Sequence, residues 1–175
     1  MAVIDLNVTS TCNLGCTYCS EGFECGLSTI FEENTYVTID NIQELMDKIK
    51  DPKKEIYFWG GEPFINWQFC KEVMEKYKHD ENYSFFFYTN GMYLKKYLKE
   101  LVEFNEVLGQ RRLSLQVSYD GKAVNDITRP DKAGNPSSEM VKANYLAAKN
   151  AGLNMKMKSV LTADHFHLIF EAFLD

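Results

Sequence analysis

The sequence predicts an α/β fold: a parallel sheet with helices on its outer face. Three observations lead there. Strand-like segments alternate with helix-like ones along the chain, the helix-like segments carry one apolar stripe each, and two of the strands are apolar on one side only. The strand candidates are VIDLNV (3–8), EIYFW (55–59), SFFFY (84–88), LSLQV (113–117) and MKMKSVL (155–161). Alternation of this kind calls for right-handed crossovers between parallel neighbours.

Four helices follow from apolar residues at i, i+3, i+4 and i+7. These are Ile42/Leu45/Met46/Ile49, Cys70/Val73/Met74/Tyr77, Leu94/Tyr97/Leu98/Leu101 and Phe166/Ile169/Phe170/Phe173. A fifth spans about Ser137 to Asn150, where Val141, Tyr145 and Ala148 share a side and Gly152 supplies the stop. The first strand sets Asp5 and Asn7 opposite Ile4, Leu6 and Val8, and the fourth sets Ser114, Gln116 and Ser118 opposite Leu113, Leu115 and Val117. A parallel sheet covered on both faces would be apolar throughout. Two half-polar strands instead point to a curved, barrel-like sheet whose inner surface lines a ligand cavity. A single wet edge strand would explain one of them more readily than both.

With 175 residues and 45% hydrophobic content the chain reads as one domain, 1–175. The net charge of −6 is spread along the chain without a long basic block, which disfavours nucleic acid as a partner. No segment approaches the roughly 18 unbroken apolar residues of a membrane span, and MAVIDLNV runs straight into a strand, so a cytoplasmic protein is expected. Five cysteines suit reduced thiols, metal ligation or catalysis better than a disulfide framework. The segment RPDKAGNPSS (129–138) reads as a turn-rich loop.

Directly behind the first strand, CNLGCTYC places Cys12, Cys16 and Cys19 in one loop. A structural zinc site wants four protein ligands, whereas three cysteines can hold an iron–sulfur cluster with one iron left open. Zinc through Cys12, Cys16, Cys19 and Cys25 is the alternative, with an irregular last interval; otherwise Cys25 is a loop thiol. Cys70 falls on a helical stripe and reads as core.

By this spacing, and by Tyr18 before the last cysteine, the sequence resembles the radical S-adenosylmethionine (radical SAM) superfamily. The resemblance implies a partial (β/α)6 barrel, of which five units are visible. A sixth unit and any C-terminal auxiliary domain are not seen. It implies a 4Fe-4S cluster on Cys12, Cys16 and Cys19 that reductively cleaves SAM to a 5′-deoxyadenosyl radical, which abstracts hydrogen from a substrate. The cluster would be reduced by an external donor of flavodoxin or ferredoxin type.

Further motifs extend the resemblance. In FWGGEPF, Gly60 and Gly61 let backbone amides approach a ligand closely and Glu62 offers a carboxylate before Pro63. The resemblance assigns this stretch to the ammonium and methionine part of SAM. YTNGMYL makes Asn90 a candidate SAM contact. The run QVSYDG…KAVNDITRP resembles the branch of sulfatase-maturing and peptide-modifying (SPASM-type) enzymes. That implies Ser118 and Asp120 near the ribose, Arg129 on the methionyl carboxylate, Tyr18 at the cofactor, and a peptide or protein substrate.

No catalytic acid or base is assigned, and His79, His165 and His167 lie on polar flanks. Lys156 and Lys158 alternate with Met155 and Met157, so one pair faces inward. The unpaired fifth strand calls for a homodimer contact or a second chain to complete the barrel, or for a C-terminal part that has been removed. Two other readings stay open: a truncated scaffold that binds cluster and SAM without turnover, and a zinc-stabilised binding module.

Overall fold

The computed structural model describes residues 1–19, 38–109, 111–160 and 162–168. Five parallel strands, β1 (Ala2–Asn7), β2 (Lys54–Trp59), β3 (Tyr83–Thr89), β4 (Leu113–Ser118) and β5 (Asn154–Lys158), lie side by side in chain order. Between them run α1 (Ile39–Lys48), α2 (Trp67–Tyr77), α3 (Leu94–Leu108), α4 (Lys122–Thr128) and α5 (Ser138–Asn150). A parallel sheet that never reverses its strand order winds every right-handed crossover to the same side. The helices therefore cover one face, as the sequence predicts, and leave the other open.

Strand alternation follows that division. Ile4, Leu6, Ile56, Phe58, Phe85, Phe87, Leu113, Leu115 and Val117 are buried towards the helices. They meet Cys70, Val73 and Met74 of α2 and Leu94 and Leu101 of α3 in one core. Phe58 and Phe87 pack with ring centroids 4.6 Å apart, and Phe64, in a 3-10 turn before α2 (Pro63–Asn66), stacks on Phe87 at 5.2 Å. On the open face the register sets Asp5 beside Tyr57, Tyr57 beside Phe86, Phe86 beside Ser114, and Gln116 between Tyr88 and Lys156. Lys156 and Lys158 are thus the inward pair, and the Lys156 ammonium lies 5.1 Å from the Phe86 ring centre.

Helix termini carry their own signals. Thr38 opens α1 through a reciprocal pair of bonds: its hydroxyl accepts from the Asn41 amide at 3.2 Å, and the Asn41 side chain accepts from the Thr38 amide at 3.1 Å. Gly152, with φ of 85°, turns the chain out of α5 into β5.

Two expectations are corrected, and one element was not foreseen. Leu45, assigned to the buried stripe of α1, is 43% exposed, while Ile42 and Met46 are buried and Ile39 and Ile49 pack partly against the core. The short helix α4 lies in the KAVNDITRP run, to which no element was assigned, because seven residues are too few for a periodic signal. The last helical stripe is not an amphipathic α-helix in its described part: Ala163–Leu168 winds as a 3-10 helix with no buried residue, and Phe166 is exposed. Ile169, Phe170, Phe173 and Cys25 lie outside the described residues.

Candidate functional site

All the motif residues within the described segments gather at the C-terminal edge of the sheet, where the loops after β1, β2, β3 and β4 meet. Parallel pairing continues past β1 and β2 into the loops. Val8 N–H donates to the Trp59 carbonyl (3.0 Å), Gly61 N–H to that of Thr9 (2.7 Å) and Glu62 N–H to that of Thr11 (2.9 Å). The double glycine thus holds the entry to the cysteine loop. A Cβ on Gly60 would lie 2.3 Å from the Thr9 carbonyl oxygen, and one on Gly61 would lie 2.3 Å from that of Thr11. Gly60 also has φ of 130°. Both glycines are required by close backbone approach. Gly61→Ala is expected to destabilise the fold by about 1–3 kcal/mol in urea unfolding, as overpacking against backbone does; a parental midpoint would contradict the tight contact.

Glu62 is completely buried. Its carboxylate accepts from Phe64 N–H at 3.2 Å, Thr89 Oγ1 at 2.8 Å and Asn90 N–H at 2.8 Å, so it ties the loop after β2 to the end of β3. Burial lifts its pKa from 4.5 to about 7 against the pull of these three bonds. A carboxyl with a raised folded-state pKa binds its proton more tightly in the fold, so stability is greatest below the unfolded-state value and falls as pH rises through about 7. Glu62→Gln is therefore expected to flatten the pH dependence of the unfolding midpoint between pH 5 and 8, an effect on the order of 3 kcal/mol at most; an unchanged slope would contradict this.

Asn90 fastens the same edge to the cysteine loop: its amide reaches Asn13 Oδ1 at 2.8 Å and Cys12 Sγ at 3.7 Å. Cys12 Sγ also accepts from Leu14 N–H at 3.5 Å. On the far side the loop pairs with the end of α4 and the residues just after it, through Thr17 N–H to the Thr128 carbonyl (2.9 Å) and Gly15 N–H to that of Pro130 (2.9 Å). Below these bonds lies a buried polar knot. Asp120 accepts from the Tyr18 hydroxyl, from Arg129 Nε at 2.7 Å, from Thr128 Oγ1 at 3.1 Å and from Val160 N–H at 2.8 Å. Burial alone pushes the Asp120 carboxyl up, but the bonds from Arg129 and Tyr18 together hold it below the usual carboxylate range. The Arg129 guanidinium lies 5.1 Å from the Tyr18 ring centre. Its terminal nitrogens make no hydrogen bond to the described residues. Ser118, half-buried, ends β4 on the open face beside Lys158.

Residues 6–163 match the family model described as the Radical SAM superfamily. The chain belongs to the radical SAM superfamily. Among curated relatives it is 29% identical over 146 residues to an uncharacterized protein of Methanocaldococcus jannaschii, an overlap of 81% of this chain and 46% of the relative. It is 32% identical over 116 residues to the radical SAM cyclopropyl synthase TigE of Paramaledivibacter caminithermalis, covering 54% of this chain and 25% of that one. The structure of native anSMEcpe with bound AdoMet and Cp18Cys peptide superposes with a TM-score of 0.73 at 19% identity, over 99% of this chain and 46% of the other. The chain thus spans less than half the length of these relatives, and the last likeness concerns the fold.

Radical SAM proteins carry a 4Fe-4S cluster, and the thiols here fit one. Cys12, Cys16 and Cys19 are free, and Cys12 and Cys16 each lie within electrostatic reach of the other thiols of the trio. Burial pushes the Cys12 thiol up and Cys16 to about 11, which disfavours the thiolate at both, a charge that a bound metal would offset. No three His, Cys, Asp or Glu side chains among the described residues converge closely enough to enclose a single ion. A cluster that binds its cysteines at separate irons requires no such convergence. The amide donors on Cys12 Sγ are of the kind that orients and tunes cluster ligands.

Sequence reasoning brought Cys12, Cys16, Cys19, Tyr18, Gly60, Gly61, Glu62, Asn90, Ser118, Asp120 and Arg129 together, and all lie at this one edge. It missed Asn13, Thr89 and Thr128 as partners. All three stood inside quoted motifs, but no spacing rule marks them as partners; Thr128 contacts Asp120 from the end of α4. The two glycine-loop amides engage the cysteine loop, and Glu62 faces the protein interior, so in this structure both serve to hold the loop.

Proposed function

We propose that the chain is the catalytic core of a radical SAM enzyme in which Cys12, Cys16 and Cys19 hold the cluster. When bound, the cluster supplies one electron that splits SAM into methionine and a 5′-deoxyadenosyl radical, which takes a hydrogen atom from substrate to become 5′-deoxyadenosine. The observation that carries the reading is the clamping of three free thiols between two fixed segments at the mouth of a one-sided sheet. The 59–62 ladder holds the loop on one side and the Tyr18–Asp120–Arg129 knot on the other.

The remaining roles are those the resemblance implies, and the geometry is compatible with them. Arg129 is locked by its Nε on Asp120, which leaves its terminal fork for the methionyl carboxylate. Tyr18 stands beside it, Ser118 at the end of β4 would meet the adenosine moiety, and Asn90 orients Cys12 from the third loop. Asp120 and Glu62, whose oxygens are engaged by the protein, act as positioning residues. The open sheet face, with Tyr57, Phe86 and Tyr88 flanked by Gln116 and Lys156, would bound the substrate and exclude water from the radical. A peptide or protein substrate is supported by the SYDG…NDITRP run and by the fold shared with a peptide-bound structure. The outer edge of β5, unpaired among the described residues, supports completion of the barrel by a second chain or copy, and a monomer in gel filtration would argue against a copy.

The test is incubation of anaerobically reconstituted protein with dithionite and SAM, followed by chromatography for 5′-deoxyadenosine. Its accumulation over several turnovers is expected. None formed with the cluster intact would leave the scaffold reading, and a colourless zinc protein after reconstitution would leave the zinc module.

A further inference from the structure

On the helical side, a shallow groove of about 770 Å³ lies between the N-terminal turns of α3 and α5. Met92, Lys95, Lys96, Glu139, Met140 and Asn144 line it. It adjoins the candidate site directly. Asn144 Nδ2 donates to the carbonyls of Gly91 and Met92, each at 3.0 Å, and the preceding residue, Asn90, carries the amide that reaches Cys12 Sγ. The groove wall and a cluster thiol are thus joined through one short loop.

The charge of the groove runs against that of the chain. Glu139 is paired with Lys122 at 2.6 Å. Lys95 has no ion pair among the described residues, and Lys96 stands over the Tyr93 and Tyr97 rings at 5.7 and 4.8 Å, so two positive charges remain uncompensated. Beyond them, Lys99 is loosely paired with Glu103 at 3.9 Å. Among these charges the groove exposes methionine: Met140 is 53% exposed, and Met92 lines the same groove. Exposed methionine together with lysine is a composition met at protein interfaces, and a local positive patch on a chain of net charge −6 favours an acidic partner.

We propose that this groove docks an acidic one-electron carrier protein, which is oxidised by one electron as the cluster beside Cys12 is reduced by one. The proposal rests on the cluster reading above. The carrier's negative rim would meet Lys95 and Lys96, and its cofactor edge would approach the loop of Asn90 to Met92.

Purified oxidised flavodoxin is the probe, and its binding to the reconstituted protein is measured by calorimetry at low and at high salt. The parent is expected to bind at low salt and to lose affinity steeply as salt rises. The double substitution Lys95→Glu/Lys96→Glu is expected to weaken binding about tenfold or more, while Lys48→Glu on α1 changes it less than about twofold. A second measurement compares 5′-deoxyadenosine formation driven by flavodoxin hydroquinone and by dithionite. The double variant should lose only the first rate. A parent that fails to bind flavodoxin at low salt, or a double variant that binds and accepts electrons like the parent, would overturn the proposal. Failure of dithionite to yield product in the parent would instead overturn the enzymatic reading, with the binding data still deciding whether the groove docks the carrier.

Discussion

Replacing Cys16 by alanine leaves the sheet and helices folded and abolishes cluster incorporation. Cys16 lies on a half-buried loop outside the core, so removing its sulfur is expected to change stability by no more than about 1 kcal/mol. Iron and sulfide per chain after anaerobic reconstitution should fall to background, because a cluster left with two protein thiols is not retained. The control is Cys70→Ala. That thiol is fully buried in α2 and lies 3.7 Å from the Pro63 carbonyl oxygen, so its loss should lower stability while leaving the iron content unchanged. Parental iron in the Cys16 variant would remove Cys16 from the ligand set.

Asp120→Ala is expected to be the most destabilising single change at the site, at about 3–5 kcal/mol in urea unfolding. It strips the partner from a buried guanidinium and leaves the Val160 amide and Tyr18 hydroxyl without their acceptor. Asp120→Asn, which retains an acceptor, should cost less. The pH dependence has the opposite sign to that of Glu62. A carboxyl held below its ordinary range stabilises the fold above its unfolded-state pKa, and this contribution is lost as acid protonates it in the fold. The parent should therefore lose stability below about pH 4 more steeply than the Asn variant. A variant as stable as the parent at neutral pH would show that the Arg129 charge is compensated elsewhere.

Local pattern carried most of this architecture. The alternation of Asp5 and Asn7 with Ile4 and Leu6 foretold an open sheet face, because a strand's period of two allows no other sorting of those side chains. The inward facing of Lys156 was narrowed by sequence to one of two pairs and needed the β4–β5 register to decide. The cysteine spacing and the glycine pair located the site because both act through backbone close to themselves in the chain. The carboxylates were harder to read. Asp120 meets Tyr18 across 102 positions and Glu62 meets Asn90 across 28, and which donor reaches a buried oxygen is settled by packing that no spacing rule encodes. Their types were therefore legible, but their orientation towards the protein was not. Phe166 misled for a related reason: an apolar stripe specifies a buried helix only where a surface exists to receive it, and the described part of that segment has none.

The central claim is that the three-thiol loop leaves one iron open to SAM, and electron paramagnetic resonance of the dithionite-reduced, reconstituted protein tests it most directly. The account predicts a 4Fe-4S signal whose g-values shift when SAM is added, as its amino and carboxylate groups complete the iron's coordination. A signal indifferent to SAM, or a protein that takes up stoichiometric zinc and no iron under the same conditions, would contradict it.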